Sequence, residues 1–259
     1  MSFLDNVRVI LVEPQHPGNV GAVARAMKNT GLWDLVVVKP ACYDPESARW
    51  MAPNCSDLLA RMRIVATLAE ALEGAHRVVA ATARHRRSDQ PVLSPHDLAK
   101  QVATEDGVTA ILFGREDHGL SNEDVHYASS VLRIPTPEHA SLNLAQAVLV
   151  AGYTLFSEAL RHGDVGGGRT LGGTGPATRT DRLDRRAQTD RADVASMEPA
   201  ADAIVELLDR VGYFVGVPVA RARLAARQGL QDARPSKKHV DAIRGMVKKV
   251  HWALDQGET

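Results

Sequence analysis

Cys42 and Cys55 are the only two cysteines in this 259-residue chain. That scarcity excludes a disulfide framework and a cysteine-rich zinc site, and it fits a reducing cytoplasm. Excess charge of either sign is also missing, because 31 Lys and Arg balance 31 Asp and Glu. No global basic field therefore points to nucleic acid, and any such contact has to come from a local basic face. The N-terminus, MSFLDNVRVILVE, lacks a basic stretch followed by an apolar core and so does not read as a signal peptide. The longest apolar helical stretch, Ala145 to Phe156, is interrupted by Gln146 and too short to span a bilayer, so no membrane role is expected. Two nucleotide-binding motifs fail as well. Gly18 and Gly21 have valines at positions 20 and 23, which rules out the dinucleotide glycine fingerprint. Gly114 and Gly119 have P-loop spacing, but Leu120 stands where the lysine must be. His16, His118 and His139 fall in loops at spacings that suggest no metal site.

What is present is an alternation of apolar, Val- and Ile-rich runs with helix-like segments. Val7–Val12, Leu35–Val38, Val78–Ala81, Ala110–Phe113 and Val131–Ile134 read as strands. Gly21–Asn29, Ile64–Leu72 and the long Leu142–Leu160 read as helices. Such alternation predicts an α/β fold, a parallel sheet with helices on both faces. Composition changes after Arg161. Residues 163–197 hold a glycine cluster and then a charged run, which predicts a flexible linker. From about Glu198 helical spacing returns, with Ile204, Leu207, Leu208 and Val211, and later Val240, Ile243, Met246, Val247 and Val250. The expected organisation is a large α/β domain over 1–162, the linker, and a small all-α appendage over 198–259.

Three short stretches carry chemistry. After the first strand, a Pro/Gly loop leads into a helix near Asn19, where the side chain and free N–H groups suit an anion or polar ligand. Arg25 lies about one and a half helical turns further on. It reads either as a phosphate-holding fork or as a solvated arginine. After another strand comes Gly114-Arg115-Glu116, where glycine lets the backbone approach a ligand. Arg115 and Glu116 read as substrate contacts or as a surface ion pair. Finally, Ser141 and Asn143 flank the start of the long helix, either as caps or as ligand groups. The basic loop Arg84–Arg87 and the pairs Lys237-Lys238 and Lys248-Lys249 are candidate phosphate contacts.

In this order and spacing, the motifs resemble the SPOUT class of RNA methyltransferases (the SpoU/TrmH superfamily) and, within it, the bacterial TrmJ tRNA methyltransferase family. The residues that carry the resemblance are Val9–Glu13, Gly18-Asn19-Val20-Gly21 with Ala24–Lys28, Phe113–Glu116 with Gly119-Leu120 and Asn122-Glu123, and Ser141–Ala145. They cover residues 1–160. The C-terminal match is confined to Ala233-Arg234-Pro235 and Ile243-Arg244-Gly245.

The resemblance implies a C-terminal trefoil knot in the sheet domain, S-adenosylmethionine as methyl donor, and a homodimer with the active site at its interface. It implies 2′-O-methylation of tRNA in the anticodon loop. The cofactor would contact Ala81, Thr82, Ala83, Gly114, Ile134, Ser141 and Leu142, largely through the main chain. Arg25, Ser141 and Asn143 would be catalytic, and Asn19, Arg86, Arg115 and Glu116 would contact RNA. Two departures from the family stand out: Ala81 where a hydroxyl residue is usual, and Pro17 in place of threonine. Competing readings are the same chemistry on rRNA and an inactive RNA-binding module. The joint presence of Arg25, Asn19, Glu116, Ser141 and Asn143 argues against the second.

Overall fold

The structure is a computed structural model that describes residues 2–84, 90–137, 141–164, 191–214 and 217–257. The chain forms two compact units, Met1–Ala71 with Val78–Gly175, and Leu72–Arg77 with Pro176–Thr259. The glycine-rich and charged segment expected to be a linker falls mostly within residues 165–190, outside the described residues.

The first unit opens with a 3₁₀ turn, Phe3–Asn6, followed by β1 (Val7–Val12), α1 (Pro17–Asn29), β2 (Asp34–Val38), α2 (Pro45–Met51) and α3 (Ser56–Arg61). It continues with β3 (Arg63–Val65), α4 (Leu68–Ala71), β4 (Arg77–Ala81), β5 (Val92–Leu93) and α5 (Pro95–Thr104), then β6 (Thr109–Phe113), α6 (Asn122–His126), β7 (Ser130–Leu132) and α7 (Leu144–Arg161). The strands make a seven-stranded sheet in the order β3-β2-β1-β6-β4-β7-β5. The pairs β1–β2, β1–β6, β2–β3, β4–β7 and β5–β7 are parallel. Every residue of β1 and β6 is buried. Successive strand residues face opposite sides, so both faces of the sheet are covered and continuous apolar runs are what the strands require. Arg8 is the one charged member of β1. It is held by an Nε bond of 2.7 Å to Asp34 Oδ2 and an Nη1 bond of 2.9 Å to the Ala71 carbonyl.

β1 has β2 on one side and β6 on the other. The connections from β1 and from β6 therefore leave in different directions, and a crevice opens outside their carboxyl ends. α1 packs against both α2 and α7. The approach of α2 is close: a Cβ added to Gly21 would stand 2.1 Å from the Ala48 carbonyl oxygen.

Several expectations need correction. Residues 64–72 do not form one helix. Arg63, Ile64 and Val65 pair with Val36, Val37 and Val38 as an edge strand, and only Leu68–Ala71 is helical. An open sheet edge offers β-branched Ile64 and Val65 a full ladder, which outweighs their modest helical pattern. Helix α1 begins at Pro17 rather than Gly21, since proline at the first helical position loses no hydrogen bond there. In the same way α7 begins at Leu144, after the cap Asn143.

The described part of the second unit holds three helices, α8 (Val194–Arg210), α9 (Val219–Ala233) and α10 (Lys237–Gly257). α8 packs on both others. Its buried Val194, Met197, Ala200, Ala201 and Val205 share a small core with Ala222, Leu224, Leu230, Val240 and Val247. α8 starts four residues before the expected Glu198 because Asp193 caps it, accepting from the Ser196 N–H at 2.9 Å. Among the described residues, no helix is long and apolar enough to cross a membrane.

Gly21→Ala is predicted to destabilise the protein by about 1–3 kcal/mol through overpacking. That outweighs the roughly 1 kcal/mol that alanine gains over glycine in a helix, because the obstructing atom is backbone and cannot rotate away. Urea unfolding of the variant checks this. A raised midpoint would show that α2 yields freely.

Candidate active site

A cavity of 230 Å³ opens at the carboxyl ends of the adjacent strands β6, β4 and β7. β4 contributes Ala81 and the following Thr82, Ala83 and Arg84. β6 contributes Phe113 and the loop Gly114–Gly119, β7 contributes Leu132, Ile134 and Thr136, and the start of α7 contributes Ser141, Leu142, Leu144 and Ala147. The seven residues expected at the cofactor, Ala81, Thr82, Ala83, Gly114, Ile134, Ser141 and Leu142, all line this one cavity. Two bonds fix its wall: the Thr82 N–H donates to the Leu132 carbonyl at 3.1 Å, and the Arg84 N–H donates to the Thr82 side-chain Oγ1 at 3.2 Å.

Gly114 is required, and for a reason beyond ligand approach. A Cβ there would meet the Leu120 nitrogen at 2.1 Å and the Gly119 carbonyl carbon at 2.2 Å. The loop after β6 folds back on itself, with the Gly119 N–H donating to the Arg115 carbonyl at 2.8 Å and Gly119 at a φ of +64°. Only a residue without Cβ leaves room for that closure.

The polar groups of this loop are already engaged. Glu116 Oε1 accepts from the Asn19 side-chain amide at 2.7 Å, and Oε2 accepts from the Gln15 N–H at 2.8 Å. Partial burial pushes its pKa up, but these hydrogen bonds from Asn19 and Gln15 outweigh burial and hold it below the ordinary glutamate value. The anion that sequence reading expects at the start of α1 is thus the protein's own carboxylate. Arg115 forks onto Asp117, with bonds of 3.0 and 2.9 Å, and its third nitrogen lies 3.4 Å from Glu13 Oε2. The hydrogen bond from Arg115, aided by its charge, lowers the Asp117 pKa to about 2. Glu13 also faces Lys39 at 3.7 Å.

The remaining expected residues lie elsewhere. Asn19 touches the site through Glu116 and is absent from the cavity wall. Asn143 caps α7: its Oδ1 accepts from the Ala145 N–H at 3.0 Å, and its own N–H donates to Gln146 at 3.3 Å. Ser141 is exposed at the cavity rim. Arg25 is exposed on α1, outside this cavity, and forms no ion pair among the described residues; its charge is felt by Cys55. Arg86 lies outside the described residues. Sequence reasoning missed Thr136 and the organising roles of Glu13 and Asp117. Thr136 follows a strand end and was open to the same rule that pointed to Gly114, whereas nothing local marks Glu13 as a partner of Arg115. Among the described residues, no group of metal-ligating side chains gathers.

An open parallel sheet with a cavity at the ends of three neighbouring strands is the arrangement of α/β proteins that bind a small ligand beyond their strand ends. Residues 6–153 match the SpoU rRNA Methylase family. The tRNA (cytidine/uridine-2'-O-)-methyltransferase TrmJ of Pectobacterium atrosepticum is 31% identical over 258 residues, covering 98% of this chain and 100% of that one. The tRNA (cytidine/uridine/adenosine-2'-O-)-methyltransferase TrmJ of Pseudomonas aeruginosa is 44% identical over 155 residues, which span 58% of this chain and 60% of that relative. Among solved structures, TrmJ from Z. mobilis ZM4 superposes with a TM-score of 0.72 at 29% identity, covering 94% of this chain and 98% of that one. The chain belongs to the SpoU methylase family, and it is a methyltransferase.

Two outcomes test the geometry. In Arg115→Ala, carboxyl NMR should show the Asp117 titration rising from about 2 toward the ordinary 3.8. An unmoved midpoint would remove Arg115 as the cause. Glu116→Gln keeps one acceptor oxygen for two donors and should cost about 1–2 kcal/mol at neutral pH. The Glu116 pKa is lowered by folding, so its contribution is present above the unfolded value and is lost as pH falls through the folded one. The stability gap between wild type and variant should therefore close in acid. A gap that persists at low pH would refute an ionic role.

Proposed function

We propose that this protein transfers a methyl group from S-adenosylmethionine to a ribose 2′-hydroxyl of tRNA, in the anticodon loop, as a cytoplasmic homodimer. The observation that carries the reading is that seven residues from four separate chain segments, each expected at the cofactor, meet in one cavity. The residues suit that cofactor. Leu132, Ile134, Leu142 and Leu144 offer apolar walls for a purine, and the backbone of residues 82–84 and 114 offers polar groups for the ribose and amino-acid parts. When bound, the cofactor supplies a methyl group activated by a positive sulfur. Similarity to a full-length tRNA 2'-O-methyltransferase supports the choice of RNA.

The protein's own task is to orient the hydroxyl and manage its proton, and orientation alone is worth several kcal/mol. A guanidinium stays protonated at ordinary pH. Arg25 therefore acts by holding an RNA phosphate and steadying negative charge that develops on the 2′-oxygen. Ser141 stands at the rim where the ribose enters. Asn143, by capping α7, keeps that rim in place, and Glu116 with Asn19 fixes the start of the helix that bears Arg25.

Arg25 lies outside the cavity of its own chain, so a second copy has to present it. Leu149, Val150 and Tyr153 form an exposed apolar strip on α7, which packs on α1, and this strip suits such an interface. The trefoil knot belongs to the same reading. It is supported by β7 pairing with β4 and by residues after β4, β6 and β7 and before α7 lining one cavity.

Labelled S-adenosylmethionine offered with unmodified tRNA and rRNA transcripts should leave a 2′-O-methyl mark in the tRNA anticodon loop. Arg25→Ala should lower the rate by roughly 100-fold or more, and Arg25→Lys should recover little, since lysine lacks the bidentate fork. A mark on rRNA alone would overturn the substrate. Near-full activity of the lysine variant would overturn the bidentate role. Absence of cofactor binding would overturn the whole reading.

A further inference from the structure

Helix α2 lies across the stripe of α1 that ends in Arg25. Gly18, Gly21 and Arg25 fall on one face of α1. Met51 covers Gly18, with Met51 Cγ 3.4 Å from where a Cβ would stand, and Ala48 covers Gly21. Ala48 is buried in that contact, so Trp50, two residues on, points away from it, and its side chain is 86% exposed. Met51, beside it, is 44% exposed. Trp33 in the same unit shows the contrast. It is half-buried, with Lys28 5.6 Å and Arg61 5.8 Å from its ring. Trp50 has no such cover among the described residues.

The charge around Trp50 identifies what it would take. Arg25 and Arg49 are both exposed, and neither forms an ion pair among the described residues. Other nearby cations are paired: Lys28 with Asp57 at 2.6 Å and Arg63 with Asp34 at 3.6 Å. Arg49 also stands close enough to Tyr43 for its charge to oppose the rise that burial imposes on the phenol. An exposed indole with the exposed guanidinium of Arg49 beside it in the chain is the chemistry that receives an unpaired base, the indole stacking on its face while the cation takes a flanking phosphate.

We infer that Trp50 is a stacking platform for an unpaired nucleobase of the RNA substrate next to the methylated nucleotide, with Arg49 on the adjoining phosphate. This rests on the RNA-methylating function proposed above. Trp50 is an RNA-binding residue, and it acts on binding rather than on the methyl-transfer step.

The experiment uses the full chain and an unmodified tRNA transcript, followed by fluorescence anisotropy over a range of salt concentrations. Trp50→Ala should weaken binding by roughly tenfold with an unchanged salt slope, because stacking releases no counterions. Trp50→Phe should keep most of the affinity. Arg49→Ala should instead reduce the salt slope by about one. In turnover assays the loss in Trp50→Ala should fall on KM for RNA more than on kcat. Trp50→Ala binding RNA as tightly as wild type would overturn the inference and leave the proposed function standing. A Trp50→Ala protein that loses affinity only because sedimentation shows altered self-association would also overturn it, and would assign Trp50 to an interface between copies. Wild type that binds no RNA would overturn the proposed function itself.

Discussion

The carboxylate of Glu116 ties together the parts on which the rest of the site depends. It comes from the loop after β6 and is held by Asn19 and the Gln15 backbone, in the loop and helix start after β1. β1 and β6 are adjacent strands whose onward connections diverge, and left alone two such loops would splay. One buried-side carboxylate accepting two hydrogen bonds closes that seam. It does so with charge-assisted bonds, which are stronger than neutral ones, and places negative charge at the positive end of α1. Everything downstream inherits this register: the helix that carries Arg25, the closed loop around Gly114, and the cavity wall opposite β7.

Around this seam the site is less basic than its proposed substrate suggests. Arg115 is flanked by Asp117 and Glu13, and Glu13 also faces Lys39, so the mouth is a patchwork of near-neutral pairs. This is how a chain with no net charge can address a polyanion. Paired cations set geometry, while others, among them Arg25, Arg49 and the cavity residue Arg84, form no ion pair among the described residues and are left to meet phosphate. Such a surface makes a weak long-range field and depends on contact for selectivity.

Much of this was legible in the residues. Val7–Val12 and Thr109–Phe113 announce themselves because strands buried on both faces need unbroken apolar runs. Gly114 follows from the rule that ligands sit beyond strand ends, whereas Ala81 and Ile134 follow only from the family resemblance. The helices α5 and α6 were less visible. Their capping boxes, Ser94 with Asp97 and Ser121 with Asp124, use aspartate where glutamate or glutamine is the usual signal, and the helices are short. Residues 64–72 misled because a helical spacing of apolar side chains says nothing about a free sheet edge waiting alongside. An ion pair of Arg115 with Glu116 was one of the readings open in the sequence, but Arg115 pairs with Asp117 and Glu13 instead, and Glu13 lies far away in sequence and meets it only when β1 and β6 pair.

That pairing has a consequence for how the chain comes into being. β1 finds its β2 edge within the first forty or so residues, but its other edge waits for β6, which ends at Phe113. While the chain emerges from the ribosome, a six-residue, mostly apolar strand therefore stands with one row of N–H and C=O groups open until more than a hundred residues have been made. Long-range parallel pairing of this kind is slow, and open edges invite wrong partners. The cavity lies at the ends of β6, β4 and β7, so its wall is incomplete until β7, which ends at Leu132, has paired with β4 and β5 and α7 has been made.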